Sequence, residues 1–388
     1  MKEWETIQLY YACKLVAGYA FKSKDFGDYP DKVIKITHIV PPTVDMKNLT
    51  GVDLSQYERK KLIKYIAKQG DYVLAMTGAT IGKMGRIEES EAYVNQRVLL
   101  FKNNPNVDKD YLFYVLQQNK FQQYILNHID SESAQPNISA ATVGKYEFLL
   151  PSLKIQNKIG KFLRLIDDKI NVNNRINDNL LEQALTLYKK YFPYNVDDEF
   201  PNGWRIGTVG EIIEIHDSKR IPLSSAERMK MTRKIYPYYG AASLMDYVDD
   251  FIFNGKYLLL GEDGTVVDSS GYPILQYVCG KFWVNNHTHI LTGKLGFNVE
   301  SLYMLFKQTP VKSIVTGAVQ PKISQTNLRS IRVVIPPKKL LKDYNCLVDP
   351  LFSLFRLNKE ENKSLATLRD TLLPKLMSGE IDVSSVKI

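Results

Sequence analysis

Between Lys154 and Phe192, apolar side chains return every three or four residues. Leu163, Ile170, Ala184 and Tyr191 fall on one heptad position and Ile166, Leu180 and Leu187 on another, and Asn177 and Asn173 interrupt the two series. The stretch has no proline and, after Gly160, no glycine, so nothing in its interior breaks a helix. A stripe this narrow and this long predicts a helix over 152–192 that lies along another helix. At 1.5 Å per residue, forty residues extend about 60 Å.

The partner is in the same chain. Gln135-Pro136 recurs as Gln320-Pro321 and Pro151 as Pro336, at one shared interval of 185 residues. That interval also carries Asn173 onto Asn358, Asn177 onto Asn362, Leu180 onto Leu365 and Leu187 onto Leu372. A second long helix is therefore predicted over 337–380. Pro350 should kink it or form a first turn after Asp349, and Pro374 should disturb its last turn, so only the first helix is predicted straight. An antiparallel pair is favoured, because an internal dyad then closes the structure as a two-fold dimer would. Such a dyad sets Asn173 opposite Asn362 and Asn177 opposite Asn358. Buried asparagines at seam positions cost stability and fix register; the alternative is that the four face water at a loose point of the seam.

Ahead of each helix the periodicity changes. Within 1–151, short runs such as KVIKITHIV, DYVLAMT and YVNQRVLLFK are separated by Pro-Pro, Asn-Asn-Pro and Gly, the pattern of strands joined by turns. Leu112, Val115, Leu116 and Tyr124 then have helical spacing. A linker over 193–203 leads to 204–336, which repeats the order: Tyr72-Val73-Leu74 maps onto Tyr257-Leu258-Leu259, Thr80 onto Thr265 and Val94-Asn95 onto Val284-Asn285. Residues 381–388 are read as a tail. The fold class is α+β: two tandem, similar α+β domains separated by two long helices that pair as an antiparallel coiled coil about an internal pseudo-two-fold.

Length suits two domains, and a formal charge of +9 points toward a polyanion. The excess is thinly spread, with 15 Lys and Arg against 11 Asp and Glu over 204–335 and 19 against 17 over 1–150. Cys13, Cys279 and Cys346 lie far apart, which removes a disulfide framework and a zinc ribbon. The opening MKEWETIQLYY has no apolar core of a signal peptide, and no run is long enough to span a bilayer. A reducing, cytoplasmic setting without a membrane partner is expected. Two similar domains at a fixed separation suit a rigid rod with two separated sites, and double-stranded DNA is such a rod.

Sequence is read by side-chain donors and acceptors at base edges, whereas Lys and Arg on phosphate set position. Thr77, Thr80, Lys83 and Arg86 sit in a Gly-rich loop between strands, and Gln96-Arg97 offers the amide and guanidinium that pair best with A and G. In the second domain, Ser218-Lys219-Arg220 and the run from Arg228 through Arg233 and Lys234 precede Tyr236, Tyr238 and Tyr239; basic residues beside aromatics clamp a backbone and wedge against bases. Asp263, Asn285, Asn286 and His287 complete the candidate set. The competing readings are a solvated hairpin, a solvated charge run and a capped turn.

Motifs for chemistry are scarce. The Pro-Pro pairs, Val40-Pro41-Pro42-Thr43 and Ile335-Pro336-Pro337-Lys338, lack the Asn or Asp and the aromatic residue with which an amino-methyltransferase holds a flipped base. Gly78 to Met84 is one residue short of a phosphate loop and ends in Met where Ser or Thr should meet magnesium. Asp31 with Glu58-Arg59-Lys60 has the residue types of a metal-dependent nuclease in a loose pattern. His287-Thr288-His289 puts two imidazoles on one strand face with no third ligand close by, so no metal site is expected.

LRDTLLPKLMSGEI, residues 368–381, resembles the C-terminal conserved region of the specificity subunits of type I restriction-modification systems. TGATIGKMG (77–85) and VNQRV (94–98) resemble that family's first variable domain, and LLGEDG (259–264) and GKFWVNNHTHIL (280–291) its second. The order of domain, long helix, domain, long helix is also the family's. Pro350 and the very short segment before the first domain depart from it. The resemblance implies a non-catalytic DNA-reading subunit whose two target recognition domains each read half of a bipartite site. It implies paired antiparallel helices that set the gap and bind two methyltransferase subunits, which use S-adenosylmethionine. It also implies separate restriction subunits that use ATP and Mg, with no cofactor held by this chain. The competing readings are a self-contained DNA-modifying or DNA-cleaving enzyme on a duplicated scaffold, and a structural adaptor with two protein-binding domains.

Overall fold

The computed structural model describes residues 4–129, 136–317 and 319–385; Gln135, of the repeated Gln-Pro pair, lies outside the described residues. Contacts divide the chain into two compact units, Met1–Asn171 with Lys363–Ile388, and Val172–Asn362.

In the first unit the strand Tyr72–Ala75 pairs antiparallel with Val98–Asn103 on one side and Met84–Arg86 on the other, and Val98–Asn103 pairs in turn with Cys13–Ala17. Side chains alternate between two cores. Leu74, Leu99 and Phe101 pack with the helix Lys109–Gln117, whereas Val73, Ala75, Val98 and Leu100 pack on the opposite face. Burial on both faces is why these runs read as continuously apolar.

The second unit repeats this ladder. Phe253–Gly261 lies between Leu275–Val284 and Thr288–Gly293, with Ile213–Ile215 beyond. Leu258, Leu260 and Leu291 join a core with the helix Val299–Phe306, while Leu259, Phe282 and Ile290 face the other way. Each domain is opened and closed by a two-stranded pair, Glu5–Gln8 with Glu147–Leu150 and Arg205–Thr208 with Arg332–Ile335. Val94 and Val284 stand at matching places, in parallel pairing with Ile34 and Tyr239. The match of Tyr72 to Tyr257 needs correction. The ladders pair Tyr72 with Phe101 and Leu258 with Leu291, so the counterpart of Tyr72 is Leu258. A slip of one residue would send that side chain to the other face, and Tyr257 does pack on the opposite core.

The long helices run Leu153–Tyr191 and Lys338–Met377. In the first, Ile159, Leu163, Ile166, Leu180 and Ala184 are buried, and in the last turns the most buried side chain is Tyr188, not Leu187 or Tyr191. A helix at 3.6 residues per turn drifts away from a strict heptad. The helices pair antiparallel: Arg369 donates to Asp167 at 2.7 Å in the first unit, and the Tyr344 hydroxyl donates to the Ala184 carbonyl at 3.1 Å in the second. Pro350 does not start the second helix, which begins at Lys338 and continues through both Pro350 and Pro374. Pro350 is on the exposed side, where water meets the carbonyl freed by its missing N–H. Gly160 has a packing role: a Cβ there would lie 2.4 Å from the Asp108 carboxylate and 2.7 Å from the Tyr111 backbone nitrogen.

Among the described residues, no helix is long and apolar enough to cross a membrane.

Candidate nucleic-acid interface

In the first unit the chain leaves Tyr72–Ala75 and turns through Gly78–Thr80, with Gly78 at φ +68° and Gly82 at φ +82°. The Gly78 N–H donates to the Pro136 carbonyl at 3.0 Å, which ties the turn to a second loop. A strand follows the turn, whereas a phosphate loop would open a helix. Lys83 is exposed and Thr80 half-buried, but Thr77 is buried. Arg86 needs a clear correction, since it is only 3% exposed. It pairs with Asp110 at 2.9 Å, and its guanidinium lies 4.0 Å from the centre of the Phe113 ring. Arg86 therefore holds the helix Lys109–Gln117 against the sheet. Gln96 and Arg97 are exposed, and among the described residues their side chains have no partner.

In the second unit Ser218 and Lys219 are exposed on a short turn, while Arg220 points inward. Its Nη1 donates to Glu262 at 2.6 Å, to the Thr288 carbonyl at 2.9 Å and to the Asn286 carbonyl at 3.1 Å. The basic run is paired in part from within. Asp246 takes Arg228 at 3.3 Å and Lys234 at 3.1 Å, and Asp249 accepts from the backbone of Thr232 and Lys234. Arg233 and Lys234 remain exposed. Tyr238 is buried beneath Arg228, so it is no wedge, and Tyr239 is half-buried against Phe282. Asn285 is buried and accepts from the His287 N–H at 2.9 Å. Asn286 is exposed, and His287 pairs with Asp263. Thr77, Arg86, Arg220, Tyr238 and Asn285 thus do not present their side chains to a ligand. Their chain neighbours read as polar loops, but register turns each of them inward.

Asp217, Glu262 and His289 bring three potential metal-ligand atoms within 4.8 Å of one another. Their bonds are already taken. His289 faces Asp217 at 2.6 Å and the Ile323 carbonyl at 2.8 Å. Gln325 donates to Asp217 at 2.7 Å, and Lys322 lies 3.4 Å from Glu262. Burial raises the Asp217 carboxyl, but the His289 hydrogen bond and charge, the Ile290 N–H and Arg220 outweigh it and hold the group below the usual carboxylate range. This cluster is an ion-paired core. His287 and His289 do not converge on one site, since each has its own carboxylate. The loose nuclease pattern dissolves too: Asp31 pairs with Arg59 at 3.0 Å and Glu58 with Lys61 at 2.6 Å.

The four asparagines meet in pairs. Asn173 donates to Asn362 at 2.9 Å and to Glu361 at 2.7 Å, and Asn358 donates to Asn177 at 2.9 Å. Asn173, Asn177 and Asn358 are buried. Asn137 and Lys322, which the local pattern does not single out, bridge to Thr77 and Asp263 and so sit beside the same turns. The signal for both was the repeated Gln-Pro pair, whose prolines immediately precede them.

One sheet-and-helix domain built twice, each copy followed by a long helix and each with exposed polar turns beside its central ladder, defines a two-headed recognition protein. The chain belongs to the type I restriction modification DNA specificity domain family, whose profile matches residues 1–182 and again 201–367. Over 352 residues it is 24% identical to the type I restriction enzyme MjaIX specificity subunit of Methanocaldococcus jannaschii, covering 81% of this chain and 78% of that one. It is 31% identical over 144 residues to the putative type I restriction enzyme specificity subunit S.HindORF215P of Haemophilus influenzae, covering 37% and 36% of the two chains. The type I restriction-modification S subunit of M. genitalium has the same fold, with a TM-score of 0.56, 16% identity and 96% of each chain covered.

Proposed function

We propose that the chain reads a two-part DNA target as the non-catalytic member of a modification and restriction complex. Residues 1–151 and 204–336 each read one half, and the helices over 152–192 and 337–380 set the unread gap. The observation that carries this reading is the duplicated ladder: one chain holds the same scaffold twice and presents different side chains from each. Gln96, Arg97 and Lys83 face the DNA from the first domain, and Ser218, Lys219, Arg233 and Asn286 from the second. The outer faces of the helices dock two methyltransferase subunits. Leu354 and Leu357, exposed at 44% and 66%, supply apolar area for that contact. S-adenosylmethionine belongs to those partners, and ATP and Mg to restriction subunits acting on the same DNA in the cytoplasm.

Mapping methylated adenines genome-wide with and without this chain tests the reading. The expected result is a chain-dependent motif of two short halves separated by a fixed unread gap. Methylation or cleavage by the purified chain alone would instead favour a self-contained enzyme, and absence of any chain-dependent motif would remove the proposal.

A further inference from the structure

The two copies build one cleft from identical backbone bonds and then line it with different chemistry. In the first, the Met76 N–H donates to the Arg97 carbonyl at 2.9 Å and the Ile138 N–H to the Met76 carbonyl at 3.0 Å. In the second, the Glu262 N–H donates to the His287 carbonyl at 2.9 Å and the Ile323 N–H to the Glu262 carbonyl at 2.8 Å. Gly78 and Gly264 donate to Pro136 and Pro321, each at 3.0 Å. These bonds place Met76 with Glu262, Arg97 with His287, Gln96 with Asn286 and Asn137 with Lys322. Strand register adds one more match, because Leu15 lies opposite Phe101 and Ile215 opposite Leu291, so Ala17 corresponds to Asp217.

The first cleft is open. It encloses about 270 Å³, with Ala17 and Met76 among its apolar lining and Gln96, Arg97, Asn137 and Ser139 as its polar groups. Ser139 is occupied in capping the helix Ala140–Gly144, but among the described residues the side chains of Gln96, Arg97 and Asn137 have no partner. The second cleft is filled from within: Asp217 and Glu262 replace the apolar pair, and Arg220 enters and binds Glu262 and two carbonyls. The second copy thus shows where an inward guanidinium and its partners fit; in the first, Arg97 stands at the place of His287 and, among the described residues, has no acid beside it.

We infer that the first cleft is the base-reading centre of its domain, with Arg97 on a guanine edge and the Gln96 and Asn137 amides on an adjacent adenine. This rests on the DNA-reading role proposed above. One fork-shaped cation beside two carboxamides is the donor set for base edges. A phosphate site would gather cations and needs no amide acceptors. Asn137 is the new member of the set, and Arg220 is excluded from the corresponding role in the second domain.

The test uses the full complex with its methyltransferase subunits and reads the methylated motif for Gln96→Ala, Arg97→Ala, Arg97→Lys and Asn137→Ala. The expected result is relaxation at one or two adjacent positions, always in the same half of the motif, by roughly ten- to a hundredfold per position. The other half and the gap should stay unchanged. Arg97→Lys should relax the motif as Arg97→Ala does, because Lys keeps the charge and loses the fork. An unchanged motif with uniformly lower occupancy, or rescue by Arg97→Lys, would mark a phosphate contact and overturn the inference. Loss of all methylation by Arg97→Lys, with the complex still assembled, would also overturn it. If the wild-type complex writes no two-part motif, the function proposed above fails and this inference falls with it.

Discussion

Asp217 shows how a single position divides two otherwise matching domains. Its carboxylate bonds His289, Gln325 and the Ile290 backbone, with Arg220 at 3.6 Å, while its counterpart Ala17 makes no such bonds. Asp217→Asn keeps the shape and removes the charge, leaving His289 and Arg220 short of an anion in a buried setting. Breaking such a pair costs about 3–5 kcal/mol, so the urea midpoint should fall; an unchanged midpoint would mean Glu262 alone suffices. The pH dependence has a definite sign. Because the folded carboxyl is held below its usual value, its stabilisation is complete above about pH 4 and fades as pH falls through the lowered folded value. Wild-type stability should therefore drop more steeply in acid than that of Asp217→Asn. Residues of this kind were the hardest to read from sequence. Gln96 and Arg97 are exposed as expected, but Arg86 and Arg220 look equally like surface cations until register and burial assign them Asp110 and Glu262. The acids that capture them are 24 and 42 positions away along the chain, beyond the reach of any local pattern.

The long helices were legible because their signal is periodic and local, and the strands because both faces are buried. What was not legible is where a helix must admit another element. Gly160 interrupts a good helical sequence for a reason supplied only by Asp108, which caps the helix Lys109–Gln117 by accepting from the Tyr111 N–H at 2.8 Å. Gly160→Ala should therefore reverse the usual rule. In an exposed helix that change stabilises by about 1 kcal/mol, but here the new Cβ meets a capping carboxylate and a backbone nitrogen. Overpacking of this kind costs about 1–3 kcal/mol. Thermal unfolding of the variant should come earlier than wild type; a rise in melting temperature would show that the helix Lys109–Gln117 shifts freely. Pro350 is the opposite case: a proline ends a helix where its lost bond cannot be made good, and this one faces outward within a continuous helix.

For the whole molecule, the count of 51 Lys and Arg overstates the cations that DNA would meet. Asp246 pairs with Arg228 and Lys234 of the densest basic run, and Arg86 and Arg220 are spent inside the fold. The exposed cations beside the candidate reading surfaces include Lys83 and Arg97 in one copy and Lys219, Lys230, Arg233 and Lys234 in the other. If both copies grip one DNA at once, their phosphate contacts add in the salt dependence of binding. Each lost contact lowers the slope of log affinity against log salt by about 0.9. In the complex proposed above, Lys83→Ala and Lys219→Ala should each reduce that slope by about 0.9, and the double variant by about 1.8. Both halves of the methylated motif should be kept, because phosphate contacts position without specifying. An effect from only one of the two single variants would mean that only that copy's lysine lies on phosphate. Equal single effects without additivity would mean that the copies bind in alternation, and a gap of fixed length could not then be measured by the helices.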